Sequence, residues 1–174
     1  MLPKALDDHT QLRLTKEADA EALAAVTDDV SPEDTRRWVH SLLALHRDGV
    51  ELPCAITVDG DVAGHALLEI HDNGEGLLHY GLRPAYRGRG LATRACEALV
   101  EEAFTALGLS ALKIDPAADN APSCAVAERL GFSRVGRQRI ENGADGYTIA
   151  RYRLTAAEWR AAHPGTPRRR GPGS

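Results

Sequence analysis

The chain has 174 residues, 43% of them hydrophobic, which is enough for one well-filled core and short for two independent ones. A formal charge of −4, a pI near 6.0 and interspersed acids and bases argue against a duplex-binding surface. The scattered Cys54, Cys96 and Cys124 lack metal or disulfide spacing, no run approaches the roughly 20 apolar residues of a membrane span, and Met1 to Lys4 lacks the basic and apolar signature of a signal peptide, so a soluble cytoplasmic protein with reduced thiols is expected.

Gln11 to Thr15 reads as a short alternating strand and Ala18 to Val26 as a short helix. Ser31-Pro32-Glu33-Asp34 supplies an N-cap hydroxyl, a first-turn proline and acids, so a second helix starts there; Trp38, Val39, Leu42 and Leu45 keep its spacing and Gly49 ends it. Cys54 to Val58 and Val62 to Ile70 form a hairpin across Asp59-Gly60, and Leu77 to Leu82 adds a third antiparallel strand after the Asp72-Asn73-Gly74 turn. From Ala92 to Leu107 the apolar residues step with helical period, stopping near Gly108. Ala111 to Asp115 reads as a buried strand, Ala121 to Leu130 as a helix stopped by Gly131, and Ser133 to Arg139 with Tyr147 to Leu154 as a final strand pair. Residues 1–160 are expected to form a single domain, and the Pro/Gly/Arg-rich residues 161–174 a disordered tail.

The chemistry concentrates between the third strand and the amphipathic helix, at Arg87-Gly88-Arg89-Gly90-Leu91-Ala92. A glycine-rich turn feeding a helix N-terminus aims several backbone N–H groups at one spot, where the helix dipole adds positive potential, and such a spot holds phosphate. Gly88 and Gly90 let the backbone approach, Ala92 keeps the first turn small, and Arg87 and Arg89 add charge. The ordinary alternative is a loop whose arginines face water. A Walker loop would need Gly-Lys-Ser/Thr where Gly90-Leu91-Ala92 stands, and a dinucleotide fingerprint would need a glycine or alanine at Thr93 and a βαβ context.

Arg87-x-x-Gly90-x-Ala92 at a strand-to-helix turn resembles the acetyl-CoA pyrophosphate loop of the GNAT superfamily of N-acetyltransferases. Asn120-Ala-Pro-Ser123 followed by Ala127-Glu128-Arg129-Leu130-Gly131-Phe132 is similar to signatures of the branch that acetylates ribosomal-protein N-termini, and the element order from Leu12 to Trp159 matches that branch. The resemblance implies a mixed α/β fold: a twisted, mainly antiparallel sheet of about seven strands flanked by about four helices.

It further implies acetyl transfer from acetyl-CoA to a primary amine by direct attack, the acceptor being a protein N-terminus or a small molecule. Tyr80, Gly81 and Leu82 would contact the pantetheine arm through backbone groups, residues Arg87, Gly88, Arg89, Gly90, Leu91 and Ala92 would hold the pyrophosphate, and Asn120 would bond the arm or cap its own helix. Where many relatives carry an acidic tyrosine this chain has Ala127; Ser123 is the branch's matching donor to the leaving thiolate. The family's strand glutamate would fall at Gly76 or Leu77, which leaves His79 as base candidate, with Glu75 and Glu141 as carboxylates at the groove edge. Alternatives are an antibiotic or polyamine acetyltransferase, or an acyl-CoA-binding regulatory module without catalysis. No metal site, nucleic acid or membrane partner is expected; dimers are common among relatives, yet no apolar patch in the sequence demands one.

Overall fold

The computed structural model describes residues 2–26, 30–141 and 146–166. Among them are strands β1 (Lys4–Ala5), β2 (Thr10–Leu14), β3 (Glu51–Val58), β4 (Asp61–Ile70), β5 (Glu75–Leu82), β6 (Ala111–Ile114), β7 (Ser133–Ile140) and β8 (Tyr147–Thr155). The helices are α1 (Ala20–Leu23), α2 (Pro32–Arg47), α3 (Leu91–Thr105), α4 (Ala121–Arg129) and α5 (Ala156–Ala162). The strands are hydrogen-bonded in the order β1-β2-β3-β4-β5-β6-β8-β7, and β5 runs parallel to β6, so the sheet is mixed and mostly antiparallel as expected.

The chain divides into two compact units, one holding the sequence up to Ile70 with His79–Leu99, the other His71–Leu78 with the sequence from Val100. In the first unit, β3 and β4 meet at Asp59-Gly60, whose φ values of 49° and 91° give the left-handed turn that matches strand twist. Ser31 Oγ accepts the Asp34 N–H and Pro32 opens α2, as the sequence predicts, and the turn of α2 into β3 passes through Gly49 at φ 75°. Alternation then sorts each strand. Cys54, Ile56, Ala66 and Leu68 are fully buried, as are Leu91, Cys96 and Leu99 of α3, while the opposite face of β3 and β4 is covered in part by α1 and α2 through Leu23, Trp38 and Val39.

The first predicted helix is broken up: α1 is a single turn between 3₁₀ turns at Glu17–Asp19 and Ala24–Val26. Its start is fixed by Asp19, whose carboxylate accepts hydrogen bonds from the Lys16 N–H and from the two terminal guanidinium nitrogens of Arg13, each at 2.8 Å. In the second unit, β6 pairs with β5 over Glu75–Leu77 and with β8 along its length. Phe104 packs against Trp159 with ring centroids 5.6 Å apart. α5 extends past the predicted end of order at 160: the Thr155 hydroxyl accepts the Glu158 N–H while the Glu158 carboxylate accepts the Thr155 N–H, a reciprocal cap. Residues 142–145 of the last hairpin and the tail from 167 lie outside the described residues.

Candidate active site

The loop singled out in sequence begins with a 3₁₀ turn, Pro84–Tyr86, and ends at Leu91, the first residue of α3. Gly88 and Gly90 adopt φ 73° and 71°, a left-handed backbone open to glycine at little cost. Nothing lies within 4 Å of a Cβ built at Gly88, so conformation rather than crowding selects glycine there. Among the described residues the backbone N–H groups from Gly88 to Thr93 carry no backbone hydrogen bond, and the first returning bond is Arg94 N–H to the Gly90 carbonyl at 3.2 Å. Six successive donors at the positive end of a 15-residue helix make a cradle suited to a diphosphate.

The arginines divide their duties. Arg87 reaches back, its Nε donating to the Leu82 carbonyl and its terminal nitrogen to the Val26 carbonyl, each at 3.0 Å, so it braces the end of β5 against the end of the α1 region while keeping its charge at the loop. Arg89 is exposed with its guanidinium 5.6 Å from the Tyr86 ring centre, and Arg83 lies 5.5 Å from the same ring. Arg94, in the first turn of α3, is neutralised by Asp7 at 3.0 Å. Leu91 and Ala92 are buried and anchor the first turn.

Upstream of the loop, His79, Tyr80, Gly81 and Leu82 form the end of β5. A Cβ at Gly81 would come within 2.7 Å of Val26 Cγ1 and 2.8 Å of the His65 ring, so glycine is required by space at that point. His79 Nε2 stands 2.7 Å from Glu69 Oε1, and both side chains are partly open to solvent. His65, on the same face of β4 as Glu69, packs edge-on to Trp38 at 5.1 Å; burial, with His79 nearby, pushes its imidazole down to about 4. Glu51 pairs with Glu69 in the β3–β4 register, and burial followed by the Glu69 charge raises its carboxyl above the usual range. The sequence reading passed over Glu69 and His65, although the period-two alternation of β4 places them together.

In the second unit Asn120 is the N-cap of α4, its Oδ1 accepting the Ser123 N–H at 3.1 Å. Cap and proposed thiolate donor are thus adjacent by construction, with Ser123 half-buried in the first turn. Ala127 is fully buried and its carbonyl accepts the Phe132 N–H, so no acid stands at this position. Cys124 Sγ faces the Ala117 carbonyl at 3.9 Å, and the nearby Tyr152 hydroxyl donates to Glu128 at 3.0 Å. Glu75 is held by Lys113 and by Arg153, whose hydrogen bonds bring its carboxyl down to about 2, which leaves it a poor proton acceptor and a structural brace. Glu141 is exposed and ion-paired with Arg139 at 3.3 Å.

Residues 3–133 match the acetyltransferase (GNAT) domain family. The chain belongs to the GNAT acetyltransferase family. It is an acetyl-CoA-dependent N-acetyltransferase, and the cradle at Gly88–Thr93 fits the anionic group such a co-substrate carries. YdaF of Bacillus subtilis (strain 168), provisionally named a ribosomal N-acetyltransferase, is 27% identical over 180 residues, spanning 88% of this chain and 95% of its own length. A crystal structure provisionally described as an acetyltransferase superposes with a TM-score of 0.82 at 26% identity, covering 91% of this chain and 99% of its own. RimL, the ribosomal L7/L12 alpha-N-protein acetyltransferase solved with coenzyme A, shares the fold with a TM-score of 0.79 at 22% identity, covering 88% and 98% of the two chains.

Proposed function

We propose that this acetyltransferase modifies the α-amino group of a protein or peptide N-terminus, with His79 as the base that frees the amine. The observation that carries this reading is the face of β3, β4 and β5 that bears Glu51, His65, Glu69 and His79, with Gly81 at its end. Carboxylates and imidazoles accept hydrogen bonds, and an ammonium group offers three donors. An α-amino group, with an ordinary pKa of about 7.7–8.0, yields its proton to an imidazole far more readily than a lysine side chain near 10.4 does. The resemblance of YdaF and the ribosomal acetyltransferase folds supports the same acceptor.

Acetyl-CoA supplies an activated acetyl thioester, whose C–S bond is exchanged for a C–N bond at the amine. For this chemistry the N–H groups from Gly88 to Ala92 bind the pyrophosphate, with Arg87 and Arg89 adding positive potential. Tyr80 and Gly81 offer backbone groups to the pantetheine arm, and the Leu82 amide polarises the thioester carbonyl. His79 takes the proton of the attacking amine. Ser123 donates a hydrogen bond to the departing sulfur, and Asn120, by capping the helix, holds that serine in its first turn. Residues 1–160 act as one N-acetyltransferase domain in this reading, in a cytoplasm that keeps Cys54, Cys96 and Cys124 as free thiols.

Titration calorimetry with acetyl-CoA, beside a transfer assay on peptides with free or blocked N-termini, tests the reading. Binding by the wild type that Gly90→Glu abolishes, with acetylation only of free α-amines, is the expected result. Transfer to lysine side chains or polyamines in preference to N-termini would replace the acceptor, and a folded protein that binds no acetyl-CoA would overturn the function.

A further inference from the structure

His79 has two ring nitrogens, and the geometry decides which of them meets the amine. Nε2 lies 2.7 Å from Glu69 Oε1. An ionised carboxylate accepts hydrogen bonds and donates none, so the nitrogen facing it carries the hydrogen. A neutral imidazole has one N–H, and the lone pair therefore sits on Nδ1. Among the described residues Nδ1 has no partner.

We propose that Glu69 is a positioning residue for His79: its carboxylate fixes the Nε2–H tautomer and the ring plane, and thereby makes Nδ1 the atom that takes the proton of the acceptor amine. The inference rests on the reading of His79 as base and names the residue that controls it. Both partners stand on strands, β4 and β5, so the ring is held by rigid backbone rather than by a loop. The charges around it favour the same step. Glu51 of β3 stands beside Glu69 in register, and His65 of β4, buried against Trp38, remains neutral above about pH 4 and adds no competing positive charge. When the amine nitrogen bonds to the acetyl carbon and the C–S bond breaks, one amine proton passes to His79 Nδ1. The imidazolium that results keeps its Nε2–H on Glu69, whose negative charge stabilises it until the proton leaves to water. The sulfur departs as thiolate and takes up a proton from solvent.

The test uses the full chain, acetyl-CoA and a short peptide with a free N-terminal serine, with the variants Glu69→Asp, Glu69→Gln and Glu69→Ala. Nitrogen-resolved NMR of the histidine side chains reads the tautomer without any need for turnover. The wild type is expected to show His79 as Nε2–H, and Glu69→Ala a mixture or the other tautomer. Glu69→Gln still offers an amide oxygen and should keep the tautomer. In kcat, Glu69→Ala is expected to fall on the order of 10–100-fold, Glu69→Gln less, and Glu69→Asp least, with KM for acetyl-CoA unchanged. Unchanged acetyl-CoA binding shows that each variant is folded. A wild-type His79 in the Nδ1–H form overturns the assignment whether or not the peptide is acetylated, and so does a Glu69→Ala enzyme with wild-type kcat. If the tautomer is as stated and no amine is acetylated, the reaction proposed above falls while the Glu69–His79 pairing stands.

Discussion

Gly64 and Gly81 stand back to back on neighbouring strands, so close that a side chain on Gly64 would run into the Gly81 carbonyl oxygen and come within 2.9 Å of Leu82 Cα. This contact sets where the end of β5 lies, and the Leu82 amide is the group assigned to the thioester carbonyl. Gly64→Ala must push β5 away from β4 or distort both, because backbone cannot turn aside as a side chain can. Overpacking of this kind costs about 1–3 kcal/mol. Thermal unfolding should show the loss, and calorimetry a weaker acetyl-CoA affinity, whereas Gly60→Ala in the exposed turn should lower stability with little effect on affinity.

Gly88 and Gly90 have a different requirement, a positive φ. An alanine at Gly88 meets open space but a strained backbone, worth about 1–2 kcal/mol. If the loop relaxes rather than bearing the strain, the N–H groups of the cradle lose their common aim. Gly88→Ala is therefore expected to weaken acetyl-CoA binding about tenfold while kcat at saturation changes little. A wild-type dissociation constant would mean the cradle does not hold the pyrophosphate.

Asn120 and Ser123 are separated by their effects on different measurements. Asn120→Ala removes a side-chain cap and should cost about 1 kcal/mol of stability, with Asn120→Asp restoring most of it. Ser123→Ala leaves that cap intact, since Asn120 bonds the backbone N–H. It should keep stability and acetyl-CoA binding and lower kcat by about tenfold or more if the hydroxyl assists the leaving thiolate. An unchanged kcat would remove Ser123 from the chemistry.

Much of this was legible in the sequence because it depends on local signals. The helix caps at Ser31 and Asn120, the Asp59-Gly60 turn and the positive-φ glycines of the loop before α3 each act within a few residues, so their local geometry follows from spacing. The pairing of Glu69 with His79 depends on strand register, which is set by Gly64 and Gly81 and by burial across the sheet, and single-strand periodicity carries no register. Glu75 shows the same limit from the other side. As a lone glutamate before the loop it resembles a base, and only its pairing with Lys113 and Arg153 reveals a brace. The reciprocal cap of α5, Thr155-Ala-Ala-Glu158, was present in the sequence and was obscured by the polar tail that follows.

Glu75 gives a prediction in acid. Hydrogen bonds from Arg153 and Lys113 lower its carboxyl to about 2 from an ordinary value near 4.5, so the folded state prefers the charged form. Its contribution is present above about pH 4.5 and is lost as pH falls toward 2. Glu75→Gln should cost about 1–2 kcal/mol at neutral pH, allowing for solvent screening of a partly exposed network. Stability measured against pH should show the two proteins converging between about pH 4.5 and 2. Equal stability at pH 7 would show that the network contributes nothing net.

His65 acts in a neighbouring window through the opposite charge type. Burial lowers its imidazole from 6.5 to about 4, so below about pH 6.5 the unfolded chain binds a proton that the folded protein refuses. Stability must then fall as pH drops through that range and level off near 4, where the folded form also protonates. The slope corresponds to one proton, and the full excursion to about 3–3.5 kcal/mol. His65→Phe keeps a ring against Trp38 and should remove this slope, which urea unfolding at several pH values between about 4 and 7 would measure. If His65→Phe retains the wild-type slope, the acid sensitivity belongs to another group and His65 is protonated in the fold.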